Sequence, residues 1–125
     1  MFQIDIMSRT PVYEQIISQL ESFVLTGILN AGDKIPSVRS LSSTLSINPN
    51  TIQKAYSELD NRGIIYSVPG RGCFIHEEAK KTIMMKKQSE LAELVERIKE
   101  LKLAGISKTQ ILECIDAIFD TEKEC

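Results

Sequence analysis

No run of eighteen apolar residues occurs in the 125-residue chain. A helix needs about twenty to cross a bilayer, so no membrane span is expected. The opening, MFQIDIMSRT, lacks a basic stretch followed by an apolar core, and no secretory leader is expected either. Cysteine is scarce: Cys73, Cys114 and Cys125 are widely spaced and form no CxxC pair. An odd, scattered set supports neither a complete disulfide framework within one chain nor a metal pattern, and a reducing cytoplasm is the simplest setting. Histidine occurs once, at His76, with no Cys or Asp ligand set beside it. A Ser-His-Asp or Cys-His constellation has nothing to build on, so the sequence predicts no enzyme, no cofactor and no metal. The GRG of residues 70–72 is too short for a nucleotide loop.

An excess of positive charge is also missing. Fifteen Lys and Arg face seventeen Asp and Glu, a net of −2. Residues 1–75 hold six of each sign, and residues 76–125 hold nine basic against eleven acidic side chains. A nucleic-acid binder usually carries a basic face, so any such face here must be local. Residues 34–75 do carry five basic side chains against two acidic ones. Binding to a polyanion through so few cations is expected to be modest and salt-sensitive.

What the chain does contain is a succession of helix and turn signals. Thr10-Pro11 predicts a helix start: the hydroxyl can cap free amides, and proline suits the first helical position. Tyr13, Ile16, Ile17, Leu20, Phe23 and Val24 then form one apolar stripe at helical spacing, ended by Gly27. The connector GILNAGDKIP, with two glycines and a proline, predicts a structured turn. Ser37 caps a second helix, with Val38, Leu41 and Leu45 toward the core and Arg39, Ser40 and Ser43 away from it. Asn48-Pro49 repeats the cap-plus-proline start. In the third helix Ile52, Ala55, Tyr56 and Leu59 make an i, i+3, i+4, i+7 face. Asn50, Gln53, Lys54 and Ser57 lie opposite, and Gly63 is a left-handed stop. Residues 64–68 and 73–75 are β-prone, joined by Pro69-Gly70, which suits the centre of a type II turn. Cys73 reads as a small buried apolar residue. Helix, turn, helix and two-stranded ribbon in this order make a winged helix-turn-helix, a frame that puts one helix into the DNA major groove. The expected fold is therefore mainly α with a small β-wing, the DNA-binding domain spanning residues 1–76.

Residues 77–125 are richer in Lys, Glu, Met and Leu. Met84, Leu91, Leu94, Ile98 and Leu101 fall at a/d-like spacings, with Val95 beside them. Gly105 breaks the helix, Ser107-Lys108-Thr109-Gln110 is a capping box, and Ile111, Cys114, Ile115 and Ile118 give a last amphipathic helix. Two such helices bury too little surface to be stable alone. The economical partner is the same stripe from a second copy about a two-fold axis. Leu91, Leu94, Ile98, Leu101, Ile111, Ile115 and Ile118 are thus candidate dimerisation residues. The alternative is that these helices fold back on the first helix of their own chain. Two helices alone are also expected to be too small for a ligand pocket of the usual ~300–1,000 Å³. Any small effector is then expected at the dimer interface or between tail and DNA-binding domain.

The third helix is the candidate reader. A carboxamide such as Gln53 can give and take hydrogen bonds at an adenine edge. Asn50, Thr51 and Lys54 sit at the helix start, which enters the groove first. Ser37 and Arg39, at the start of the second helix, can meet phosphate, with help from the free amides there. Arg71 at the glycine-flanked tip can reach a narrow minor groove. Taken singly, each is equally an ordinary solvated polar residue; the array on one frame is what points to DNA.

The segments PVYEQI, LTGIL and GDKIPSVRSLSSTLSINPNTIQKAYSELDNRGIIYSVPGRGCFI, in that order within residues 9–76, resemble the GntR family of bacterial transcription regulators. The short tail resembles the YtrA-like subfamily, whose C-terminal part is two helices used for dimerisation. The resemblance implies DNA contacts at Arg39, Thr51, Gln53, Gly70 and Arg71. Many members carry arginine where Pro49 and Gln53 stand, so the operator need not match theirs, and Cys73 replaces the family's usual hydroxyl. Members of the subfamily are often repressors. The resemblance thus implies a homodimeric repressor on a pseudo-palindromic double-stranded operator; the alternative reading is a winged-helix module that binds protein instead of DNA.

Overall fold

In chain order the elements are α1 (Val12–Leu25), β1 (Lys34–Ile35), α2 (Val38–Leu45), α3 (Pro49–Asn61), β2 (Ile65–Val68), β3 (Gly72–Ile75), α4 (Ala79–Leu103) and α5 (Lys108–Glu124). The structure, a computed structural model, describes residues 1–124, with side chains through Asp120. The chain divides into one unit spanning Met1–Lys86 and a second from Lys87 onward. None of the described helices is long and apolar enough to cross a membrane.

α1 buries Ile16, Ile17, Leu20 and Val24, the stripe that helical spacing demands. Its start differs from expectation. Pro11 itself takes the cap position with an extended ψ of 147°, and no side chain caps the helix. The Thr10 carbonyl instead accepts from Gln15 Nε2 at 2.8 Å. The residues before α1 are held by two carboxamides one helical turn apart. Gln19 accepts from the Gln3 amide at 2.9 Å and donates to its carbonyl at 2.6 Å. Gln15 treats Asp5 the same way, at 2.9 and 2.8 Å. Phe2 closes the arm edge-on against Phe23, ring centroids 5.3 Å apart.

α3 packs against both α1 and α2 through Ile52, Ala55, Tyr56 and Leu59, all buried. Of the α2 positions expected in the core, Leu41 is buried, while Val38 and Leu45 pack half-buried at its margin. The sheet is antiparallel with strand order β1-β3-β2. The expected two-stranded ribbon therefore has a third strand: Lys34 and Ile35, inside the connector, pair with Phe74 and Cys73. Ile35, Ile65 and Ile75 carry the sheet into the core, whereas Cys73 is only half-buried, with its Sγ 3.4 Å from Ser67 Oγ. His76 ends the wing: Nδ1 accepts from the Glu78 amide at 3.1 Å and the ring stands edge-on to Tyr66.

The core does not stop at residue 76. Ala79 and Ile83, on the first turns of α4, are each 1% exposed and belong to the same apolar cluster as Leu20 and Ile75.

In the second unit, the remainder of α4 and α5 form a helical hairpin turned at Gly105, whose φ is +91°. The Ile106 amide reaches back to the Leu101 carbonyl at 3.1 Å. The capping box closes as written in the sequence: the Gln110 amide donates to Ser107 Oγ at 3.1 Å, and the Ser107 amide to Gln110 Oε1 at 3.0 Å. Ile98 and Ile111 are half-buried, with Lys102, Ile106, Lys108 and Leu112, around a cleft of about 340 Å³. The two helices thus do enclose a space at the lower end of the usual ligand range, contrary to expectation. Leu91, Leu94, Leu101, Ile115 and Ile118 remain exposed within this unit.

Tyr56 sets a test of the packing. Its ring is 3% exposed and its hydroxyl donates to the Pro36 carbonyl at 2.6 Å. Burial, and then the neighbouring Cys73, push the phenol well above its ordinary 10.0. Tyr56→Phe removes this bond and should cost about 0.5–1.5 kcal/mol in urea unfolding at neutral pH. Above about pH 10 the unfolded chain ionises this phenol while the folded chain keeps it neutral, so stability falls with rising pH. That part of the alkaline decline should be missing in Tyr56→Phe; an unchanged decline would assign it to other groups.

Candidate nucleic-acid interface

α3 starts where Asn48 Oδ1 accepts from the Asn50 amide at 2.8 Å, with Pro49 as first helical residue. With its apolar face buried, the helix leaves Asn50, Gln53, Lys54 and Ser57 exposed and Thr51 half-buried. Gln53 Nε2 donates to Ser57 Oγ at 3.1 Å. That bond steadies the carboxamide and uses one N–H, leaving the other N–H and an acceptor oxygen for a base edge. Helical spacing places Ser57 on this face, and the bond adds that it supports Gln53. Lys54 departs from its neighbours: its Nζ sits 3.9 Å from the centroid of the Tyr13 ring on α1, so its ammonium is engaged there.

α2 begins at Ser37, whose Oγ accepts from the Ser40 amide at 3.0 Å. The residue ahead of it, Pro36, is the one Tyr56 holds, so the start of α2 is fastened to the buried side of α3. Ser46, at φ +55°, makes the tight left-handed step that separates α2 from α3. Arg39 projects from the exposed side of α2.

The wing tip is a type II turn. Gly70 has φ +77° and the Arg71 amide donates to the Val68 carbonyl at 2.9 Å, the geometry that needs a residue free of a Cβ. Arg71 is exposed. Beside it lies Lys34, which the sequence counted toward local charge but not toward the site. A Cβ at Gly72 would meet Lys34 Cε at 3.0 Å, so glycine there makes room for the lysine stem. A two-residue strand carries no periodicity, and only the pairing of β1 with β3 reveals this neighbour.

The five basic residues of this region fall into two groups. Arg62 is committed, Nε to Glu58 at 2.9 Å and Nη1 to Glu21 at 3.5 Å, and Lys54 lies on Tyr13. Among the described residues, Lys34, Arg39 and Arg71 have no ion-pair partner. No hydrogen bond among the described residues joins α3's exposed side chains to Arg39 or Arg71; each sits on its own element of one frame. Three unpaired cations and one hydrogen-bonding helix edge suit a partner with many negative charges and patterned donors and acceptors, which is duplex nucleic acid.

The family description "Bacterial regulatory proteins, gntR family" matches residues 12–75. The HTH-type transcriptional repressor YtrA of Bacillus subtilis is 44% identical over 119 residues, 94% of this chain and 92% of that protein. A crystal structure of a transcriptional antiterminator from Listeria monocytogenes is 37% identical, with a TM-score of 0.77 over 94% of this chain and 89% of its own. YtrA from Sulfolobus acidocaldarius, a GntR-family transcription factor, is 29% identical, with a TM-score of 0.55 over 95% and 97% of the two chains. The match over residues 12–75 and the similarity along nearly the whole length show that this chain belongs to the gntR family of bacterial regulatory proteins and is a DNA-binding transcriptional regulator.

Proposed function

We propose that the protein is a cytoplasmic homodimeric repressor that reads a pseudo-palindromic operator with α3 of each copy. The division of basic side chains carries the reading: among the described residues Lys34, Arg39 and Arg71 have no ion-pair partner, while Arg62 is locked to carboxylates. Gln53, Asn50 and Thr51 meet base edges in the major groove. Ser37 and Arg39 take phosphate at the start of α2, where the helix amides add their partial charge. Gly70 lets the wing backbone approach, and Arg71 enters the minor groove, with Lys34 adding charge behind it. Lys54 is the adjustable member, held on Tyr13 in the free protein. The B. subtilis relative's description as a repressor supports the sign of regulation. Residues from 77 onward supply the dimer, through Leu91, Leu94, Leu101, Ile115 and Ile118, with Ile98 and Ile111 beneath them. The family resemblance and the exposure of the first five support this role.

Competition on an operator and its point variants tests the reading. Gln53→Ala should change sequence preference, losing about 1–3 kcal/mol at one base pair. Arg39→Ala should weaken all sequences nearly equally and flatten the salt dependence by about one unit of slope. Equal loss on every sequence for Gln53→Ala would move that residue into the phosphate class. Absence of any salt-dependent binding to promoter DNA would favour a protein partner.

The dimer has its own test. A Leu94→Glu, Ile115→Glu double variant of the full chain should sediment as a folded monomer and lose cooperative binding to paired half-sites, whose centres lie about 34–36 Å apart. A variant that still sediments as a dimer would remove the hairpin from the interface.

A further inference from the structure

A cavity of about 430 Å³ opens between α1 and α3, lined by Tyr13, Glu14, Ile17, Ser18, Glu21, Lys54, Glu58 and Arg62. Its unusual member is Glu21, in the middle of α1 and only 6% exposed. Glu21 Oε1 meets Arg62 Nη1 at 3.5 Å, a long contact. Glu21 Oε2 is buried and has no hydrogen-bond partner among the described residues. Arg62 gives its better bond to Glu58, at 2.9 Å. Glu14 is engaged by the Tyr13 hydroxyl at 3.2 Å. Three carboxylates thus share the cavity with two cations, and one buried carboxylate oxygen is left over.

We propose that this cavity binds a small organic monocation, a primary alkylammonium, whose N–H groups meet the Glu21 carboxylate as that side chain turns its buried Oε2 toward the cavity, and whose carbon body lies against Ile17 and the Tyr13 ring. The charge count favours one added positive charge. An anion would face Glu14, Glu21 and Glu58. A neutral apolar ligand would leave the buried carboxylate oxygen unanswered, which is the costly outcome for such a group. A metal ion is not matched, because no group of three or more His, Cys, Asp or Glu side chains among the described residues is arranged to hold one. The Tyr13 face already holds one ammonium, that of Lys54, at 3.9 Å, which shows that the ring attracts cations here. The size suits a small molecule, near the lower part of the usual ~300–1,000 Å³ range. The site lies within the first unit. Because Lys54 is on α3, occupancy is felt on the helix that carries Gln53. The binding claim itself does not rest on how that helix meets DNA.

The test is an NMR titration of the full chain with n-butylammonium, with 1-butanol as neutral control. Tyr13 ring, Ile17 methyl and Lys54 Hε signals should move together and saturate with the amine, and stay still with the alcohol. Glu21→Gln should weaken the amine about ten- to a hundredfold, the value of one hydrogen bond to a charged group. If Glu21→Gln does not fold, Tyr13→Leu should weaken the amine by removing the ring face. Non-saturating shifts, equal shifts with 1-butanol, or full affinity in the folded variant tested would each overturn the proposal.

Discussion

One hydrogen bond ties together the three parts of the interface: the Tyr56 phenol on the Pro36 carbonyl, 2.6 Å long and donated from a buried ring. Tyr56 belongs to the buried face of α3. Pro36 stands between Ile35, the last residue of β1, and Ser37, the cap of α2. A shift of α3 against this carbonyl would therefore disturb the start of α2 and the strand that completes the wing. Burial makes the phenol a durable donor, because ionisation inside the core is opposed by desolvation. The surrounding side chains, Ile52, Leu59, Ile35 and Leu41, supply apolar burial, which has no direction. The phenol supplies direction, and direction is what a reading surface needs.

Near-neutral overall charge is compatible with DNA binding because of how the charges are paired. Glu58 and Glu21 face Arg62 on the side of α3 that looks to α1, so one guanidinium offsets one of these two carboxylate charges and is itself spent there. Lys34, Arg39 and Arg71 have no ion-pair partner among the described residues. A count over the chain averages these groups, whereas a polyanion responds to the local imbalance.

Local chemistry made much of this legible in the sequence. Ser37, Asn48 and Ser107 with Gln110 cap their helices because short polar side chains satisfy amides a few residues away, and no distant contact is needed. Pro69-Gly70 turns for an equally local reason, and the α3 stripe follows from helical period. Tertiary pairing hid the rest. Lys34-Ile35 becomes a strand because β3 lies beside it. Pro11, not Thr10, takes the cap position of α1, and the Thr10 carbonyl is held by the tertiary reach of Gln15. Ala79 and Ile83 enter the core although the composition around them already resembles the tail. Gln53 and Lys54 look equivalent by spacing, and only the position of Tyr13 separates them. Glu21 gave no signal, since a glutamate in an amphipathic helix ordinarily faces water.

The attachment of the N-terminal arm bears on how the sequence can drift. Gln15 and Gln19 hold Gln3 and Asp5 by main-chain N–H and C=O alone, as a neighbouring strand would. A carboxamide that grips only backbone is indifferent to the side chain it holds. Position 3 can therefore accumulate substitutions without loosening the arm, provided proline is avoided. Selection falls on the α1 side of the clasp and on Phe2, the aromatic anchor on Phe23.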